Sequence, residues 1–318
     1  MNDTANFNLP MDRIGSFDIN HILLKIPDLM TTIHKIDDTV THQGHIGGNY
    51  KIVLNEKGVR LYGSLPKYYN SHNFDSLNIT DTKRAIEKLS DELLLPVTKS
   101  KVSRLDIIPQ NIITTYKPQN YYPYFTTSKY FQKIGHQKSI EYRNHKKSKI
   151  LYDKTAQAKS KRENIPTHWT NKNILRYELR LMNRLPTHFN MLEVKASDLY
   201  SEKFRILCLN KWYEEFNSIN TLNTISNNME NIKTTSDVME YLALEGLSSI
   251  GYENALKFID FLKEKKTMSN KEAYSRAKAK IKQLANSKNI TEQSELITEL
   301  KSKVDEIKKK LPSLPFET

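Results

Sequence analysis

The chain has 318 residues, 38% of them hydrophobic, and its 49 Lys and Arg against 36 Asp and Glu give a formal net charge of +13. That much apolar material builds a core and excludes wholesale disorder, and the basic excess reads as attraction to a polyanion such as nucleic acid. The lone cysteine, Cys208, excludes an internal disulfide and a cysteine-built zinc site. With no basic start and no apolar run long enough to span a bilayer, the expectation is a soluble, cytoplasmic protein without a secretion signal or membrane partner.

In chain order, "NYKIVLN" and "VRLYGSL" predict two strands joined across "EKG", with Gly58 where positive φ is needed. "TDTKRAIEKLSDELLLPV" predicts a helix that starts at Asp81 or Thr80 as N-cap, buries Ile86, Leu89 and Leu93, and stops at Pro96. "KVSRLDIIP" follows as a strand, then the tyrosine-rich loop "TTYKPQNYYPYFTTSKYF", then "KSIEYRN", "KILYDK" and "ILRYELRL" as strands. This order predicts an α+β fold, an antiparallel sheet with packed helices over residues 1–184, ending near "MNRLPTHFN". Residues 185–318 read as a basic, mainly helical region. Its last segment spaces Leu296, Leu300, Val304, Ile307 and Leu311 as a short coiled-coil seam that pairs chains or folds back.

Side chains two apart on a strand share a face. Arg104 and Asp106 therefore point one way, opposite Leu105 and Ile107. Arg176, Glu178 and Arg180 oppose Leu175, Tyr177, Leu179 and Leu181, while Ile150, Tyr152 and Lys154 share one side. Each pattern alone is an ordinary half-exposed strand. If the strands are neighbours, however, two carboxylates, three arginines, a lysine and a tyrosine meet on one surface, the set that phosphodiester chemistry uses. Two carboxylates hold a hard cation, Mg²⁺ or Mn²⁺, through oxygen, and arginines clamp phosphate by paired donation. A phenol is a poor nucleophile at neutral pH unless a cation favours its phenolate.

The series "YGSLPKYYNSHNF", an amphipathic helix, "VSRLDI", "ILYDKTAQ" and "ILRYELRL" resembles the gene II/X family of phage and plasmid replication proteins over roughly residues 45–184. The resemblance implies an HUH-like nickase domain and a rolling-circle initiator that cuts one strand at the origin and stays joined to the 5′ end through a phosphotyrosine. It makes Tyr152 the nucleophile with Lys154 beside it. It makes Asp106 and Glu178 metal ligands and draws His72, in "SHNF", into the same set. Arg104, Arg176 and Arg180 become the DNA phosphate contacts. The implied partners are supercoiled and single-stranded origin DNA, with host helicase and polymerase. Two departures stand out: no His-x-His pair occurs, and Ser71 replaces the glycine expected before the His-Asn pair. The competing reading is a non-catalytic origin- or operator-binding protein, which needs the basic residues but not the tyrosine with two acids.

From Lys129 to Arg184 there are fifteen Lys or Arg against four acids, close to Tyr121, Tyr122, Tyr124, Phe125, Tyr130 and Phe131. Basic groups track phosphates and aromatic faces stack on unpaired bases, although about half of these rings are expected to pack inside. Of the nearby tyrosines, Tyr177 is expected on the apolar side of its strand, and Tyr142 has no clear side.

Overall fold

Residues 2–10 alternate Ala5, Phe7 and Leu9, all buried, with half-exposed Thr4, Asn6 and Asn8, and form the first strand, β1 (Asn2–Pro10). The computed structural model describes residues 2–14, 22, 24–26, 28–34, 38–47, 50–136, 138–226, 229–287 and 290–310. Its chain sorts into two units: residues 1–120, 128–218 and from 302 onward form one, and residues 121–127 and 219–301 form the other. The first unit thus runs past the boundary expected near residue 184, and the chain leaves it and returns twice.

The first unit is α+β. The strands β2 (Met30–Ile33), β3 (Val40–Ile46), β4 (Tyr50–Asn55), β5 (Gly58–Ser64), β6 (Lys101–Ile107) and β7 (Ile112–Ile113) precede an excursion into the second unit, where β8 (Phe125–Ser128) begins. After the return come β9 (Gln132–His136), β10 (Ser139–Arg143), β11 (Lys147–Asp153) and β12 (Ile174–Leu181). They join in the order β2-β3-β4-β5-β1-β6-β12-β11-β10-β9, with β7 also on β12. The "EKG" hairpin is β4–β5, with Asn55 opposite Gly58. Gly58 has φ of +131°, and a Cβ there would lie 2.3 Å from the Leu9 carbonyl oxygen, so both conformation and the close approach of β1 demand glycine.

The helix Ile79–Leu93 buries Ala85, Ile86, Leu89 and Leu93 as its spacing predicts. Its cap is Asn78, whose side chain accepts from Asp81 N at 2.8 Å, rather than Asp81 or Thr80. On the apolar face of the sheet, Phe7, Leu105, Leu151, Leu179 and Leu181 are buried. The helix Glu202–Asn217 packs there. Trp212 and Phe216 each place a ring 5.2 Å from that of Tyr177, and Trp212 Nε1 donates to the Tyr177 carbonyl at 3.1 Å. Fully burying side chains of this size is worth about 1.5–3 kcal/mol each, which fixes which side of β12 faces the helix.

The second unit holds two small strand pairs, β8 with β13 (Ile219–Thr221) and, antiparallel, β14 (Asn223–Ile225) with β15 (Thr291–Gln293), and the helices Thr235–Ile250, Tyr252–Glu264 and Lys271–Leu284. The helix Glu295–Lys309 starts in this unit and ends in the first. The expected seam folds back: Leu300, Val304 and Ile307 are buried together with Ile297, which replaces Leu296 in the stripe. Leu311 lies outside the described residues. Within the first unit, Tyr213 Oη donates to Asp305 at 2.7 Å and ties this helix to Glu202–Asn217. Among the described residues, no helix is long and apolar enough to cross a membrane.

Candidate active site

Register brings the predicted polar residues side by side. Across β11–β12, Tyr152 is opposite Arg176, Ile150 opposite Glu178 and Ser148 opposite Arg180; across β12–β6, Arg180 is opposite Asp106. Alternation then puts Arg104 and Asp106, Arg176, Glu178 and Arg180, and Tyr152 on one face. Their side chains form a continuous line. Arg104 grips Asp106 with two bonds, Nε to Oδ1 at 2.9 Å and Nη2 to Oδ2 at 2.6 Å. Arg180 Nε lies 3.4 Å from Asp106 Oδ2, and its Nη2 donates to Glu178 Oε1 at 2.6 Å. The hydroxyl of Tyr152 donates to the other oxygen, Glu178 Oε2, at 3.3 Å.

This face is not the open surface that alternation suggested. Asp106, Arg176, Glu178, Lys154 and Tyr152 are all buried, and only Arg104 and Arg180 keep a quarter to a third of their side chains in solvent. Period two tells which side a residue takes but not what covers it. Part of the cover is the turn after the helix Leu65–Asn70. Arg176 Nη2 donates to the Asn73 carbonyl at 2.5 Å and Nε to Asn111 Oδ1 at 2.7 Å, while Asn111 Nδ2 holds the Phe74 carbonyl at 2.7 Å. Arg176 is therefore bound inside the protein, behind Arg104 and Arg180.

Lys154 also departs from expectation. It is not a strand residue beside Tyr152 but the first residue of the helix Lys154–Ser160, capped by Asp153, whose side chain accepts from Ala156 N at 2.8 Å. Its ammonium donates to Asn73 Oδ1 at 2.7 Å, Gln157 Oε1 at 2.9 Å and Glu163 Oε2 at 3.4 Å. Burial, reinforced by the charge of Arg176 and opposed by Glu163 and Asp3, brings its pKa down to about 8.

The electrostatics of the line are uneven. Burial and the neighbouring charge of Asp106 push Glu178 up to about 7, against the pull of Arg180, with Asp3 adding to the rise. Burial likewise holds the Tyr152 hydroxyl well above the ordinary phenol range; Arg176 works to lower it, and Glu178 and Asp3 to raise it. The cation that favours the phenolate is thus Arg176, not Lys154. Two guanidinium nitrogens here, Arg176 Nη1 and Arg180 Nε, are buried without a hydrogen-bond partner among the described residues. Arg180 Nε is still ion-paired with Asp106, whereas Arg176 Nη1 is a donor left over in a form that suits an anionic oxygen.

Two residues were missed from sequence. Asp3, on β1, accepts from Ser64 Oγ at 2.5 Å and from Asn73 Nδ2 at 3.1 Å. Asn73 therefore joins Asp3 to Lys154 with one amide. It stands in the same "SHNF" segment that drew attention to His72, and a short polar side chain beside that histidine was the available signal.

Asp106 and Glu178 have the hard-oxygen chemistry that suits Mg²⁺ or Mn²⁺, and their mutual repulsion is the kind a cation relieves. The third expected ligand does not join them. Among the described residues, no three His, Cys, Asp or Glu side chains gather to hold a metal, and His72 Nε2 instead lies 3.9 Å from Asp75 Oδ2. Asp75 is itself engaged by Trp169 Nε1 at 2.9 Å and His168 Nε2 at 3.2 Å.

The other tyrosines sort cleanly. Tyr177 lies on the apolar side as expected, and burial raises its pKa well above the phenol range. Tyr142 is also fully buried, opposite Lys149. Of the loop aromatics, Tyr121, Tyr122 and Phe125 are buried, whereas Tyr130 is 81% exposed with Lys129 Nζ 4.8 Å above its ring.

The face is thus an antiparallel sheet surface that lines up a tyrosine, two acids and arginines. The family model describing the N-terminal part of the gene II replication-associated protein of phages matches residues 26–203, more than half of the chain, and the protein belongs to this gene II family of phage replication proteins. A search of curated proteins finds no match.

Proposed function

We propose that this phage replication-associated protein initiates rolling-circle replication by nicking one origin strand through Tyr152. The observation that carries the reading is the line of hydrogen bonds, with one ion pair between Asp106 and Arg180, from Arg104 through Asp106, Arg180 and Glu178 to the Tyr152 hydroxyl. Glu178, titrating near neutral pH, takes the phenolic proton. The Tyr152 oxygen bonds to phosphorus as the bond to the 3′ oxygen breaks, and protonated Glu178 returns its proton to the departing 3′ oxygen. Arg176 stabilises the phenolate, and its unpaired Nη1, with the guanidinium charges of Arg180 and of Arg104 at the more exposed end, neutralises the phosphate. A divalent cation held by Asp106 and Glu178 would supply further charge neutralisation. The bond energy is kept in the phosphotyrosine, which permits rejoining, and the free 3′-hydroxyl serves a host polymerase once a helicase opens the duplex.

One observation favours the competing reading of a non-catalytic origin binder: the burial of Tyr152, which leaves it 8% exposed. The two readings separate when purified protein is incubated with supercoiled and single-stranded origin DNA, with and without Mn²⁺ or Mg²⁺. The expected result is a covalent protein–DNA band that Tyr152→Phe abolishes while DNA affinity persists. If the wild-type protein binds origin DNA but forms no adduct under any of these conditions, it is a binder.

A further inference from the structure

The helix Thr235–Ile250 of the second unit is apolar on two sides. Leu244 points inward and is buried. At about 100° per residue, Val238, Leu242, Gly246, Met239, Ile250 and Ala243 fall within one arc of roughly 140° on another side, and every one of them is exposed. The large ones are well out in solvent: Val238 45%, Met239 63%, Leu242 57% and Ile250 60%. Met239, Ala243, Gly246 and Ile250 follow the four-three-four spacing by which one helix seats against another. A Cβ on Gly246 would meet nothing within 4 Å, so there is open space for a bulky side chain above the middle of the stripe. Of the other residues only Thr235 and Ser249, at the two ends of the helix, fall in the same arc, and an uncharged, mainly apolar stripe of this kind marks an interaction site rather than scattered surface residues.

Charge selects the occupant. This helix carries Asp237, Glu240 and Glu245 and no Lys or Arg, in a chain whose net charge is +13. Glu245 lies beside Val238 at one edge of the stripe, and Glu240, next to Met239 in the position that sets partner choice in helix pairs, lies beyond Ala243 at the other. Self-pairing of the same helix sets these acids against their copies, DNA is repelled by them, and an anionic bilayer calls for basic flanks that are absent here. We infer that this helix face docks an amphipathic helix of another protein, one with an apolar seam flanked by Lys or Arg. The inference does not depend on the nicking reading, and its test involves no DNA cleavage.

Two labelled helical peptides with the same Leu/Ala seam, one flanked by Lys and one by Glu, are titrated against the full chain by fluorescence anisotropy. The Lys-flanked peptide should bind at least about tenfold more tightly, with an advantage that shrinks as salt rises. A Glu240→Lys, Glu245→Lys chain should reverse the preference. Leu242→Asp should abolish binding of both peptides while circular dichroism shows unchanged helix content and DNA affinity is retained. The inference fails if the wild-type chain binds neither peptide, or both equally, or if the double charge reversal leaves the preference unchanged. It also fails if sedimentation reveals a dimer that Leu242→Asp dissolves, since the occupant is then a second copy.

Discussion

Two buried ionic networks lie on opposite faces of the same pair of strands, and they are built to different ends. On the polar face, Glu178 shares Arg180 with a second carboxylate, Asp106, and is pushed up to about 7. On the helix-covered face, Glu215 receives both Lys147 and Lys149, with Lys149 Nζ at 2.8 Å. Burial works to raise Glu215 too, yet the bonds from the two lysines overcome it and hold its pKa below the ordinary value. Lys149 is saturated: besides Glu215 it donates to Ser128 Oγ at 2.8 Å and Ser218 Oγ at 2.5 Å, under the ring of Phe131 at 4.2 Å. Similar burial thus yields a satisfied carboxylate on one side and a crowded one on the other. Crowding of like charges is what moves a carboxyl into the range where it can trade protons.

Removing the anchor of the satisfied network should have the largest effect on stability. Glu215→Ala strands the fully buried Lys149 ammonium and should cost about 3–5 kcal/mol in urea unfolding. Removing the crowded carboxylate should do the reverse. Glu178→Gln keeps the shape of the protonated acid, so the covalent adduct should vanish while stability is maintained or gained. The sign follows from the raised pKa: this group's contribution is fully present below about pH 4.5 and is lost as pH rises through about 7. Melting temperatures of the wild type and Glu178→Gln should therefore be close at pH 5, with the variant ahead at pH 8; an advantage at pH 5 that disappears at pH 8 contradicts the comparison.

A smaller slope belongs to Lys154, a base whose folded pKa of about 8 lies below its ordinary 10.5. Its charged form is disfavoured in the folded state, so stability should rise between those values, and Lys154→Met should flatten that part of the pH profile. The smallest effect is expected from Tyr177→Phe. Its hydroxyl is buried without a partner among the described residues. Losing it should be neutral or stabilising by up to ~1 kcal/mol, with adduct formation intact. The same substitution at Tyr152, one strand away and on the other face, should abolish the adduct, so the pair isolates the effect of facing.

Periodicity carried much of this from the sequence. It placed Asp106, Arg176, Glu178, Arg180 and Tyr152 on one face and Tyr177 on the other, because a half-apolar strand has only one way to turn against a core. Three things escaped it. β1 lies centrally in the sheet, but "NDTANFNLP" is rich in Asn and Asp and ends in Pro, residues of low strand propensity, and packing between β5 and β6 overrides that. Asp3 was hidden with it. Alternation carried on from β11 puts Lys154 on the Tyr152 side, whereas Asp153 caps a new helix and turns the chain. His72 was drawn in by its motif, and a motif fixes neighbours in sequence without fixing which carboxylate the ring meets; here it is Asp75.

The strand order has a consequence for how the protein comes into being. β6 is flanked by β1 from the start of the chain and by β12, whose residues 174–181 come far later. A ribosome-bound chain that has reached the end of β6 already carries Asp3, Arg104 and Asp106 but neither the tyrosine nor the glutamate that complete their line. Contacts between such distant segments form slowly and late. The line of charges is thus completed only after β12 has emerged and paired, and truncated products of translation that end earlier are born without it.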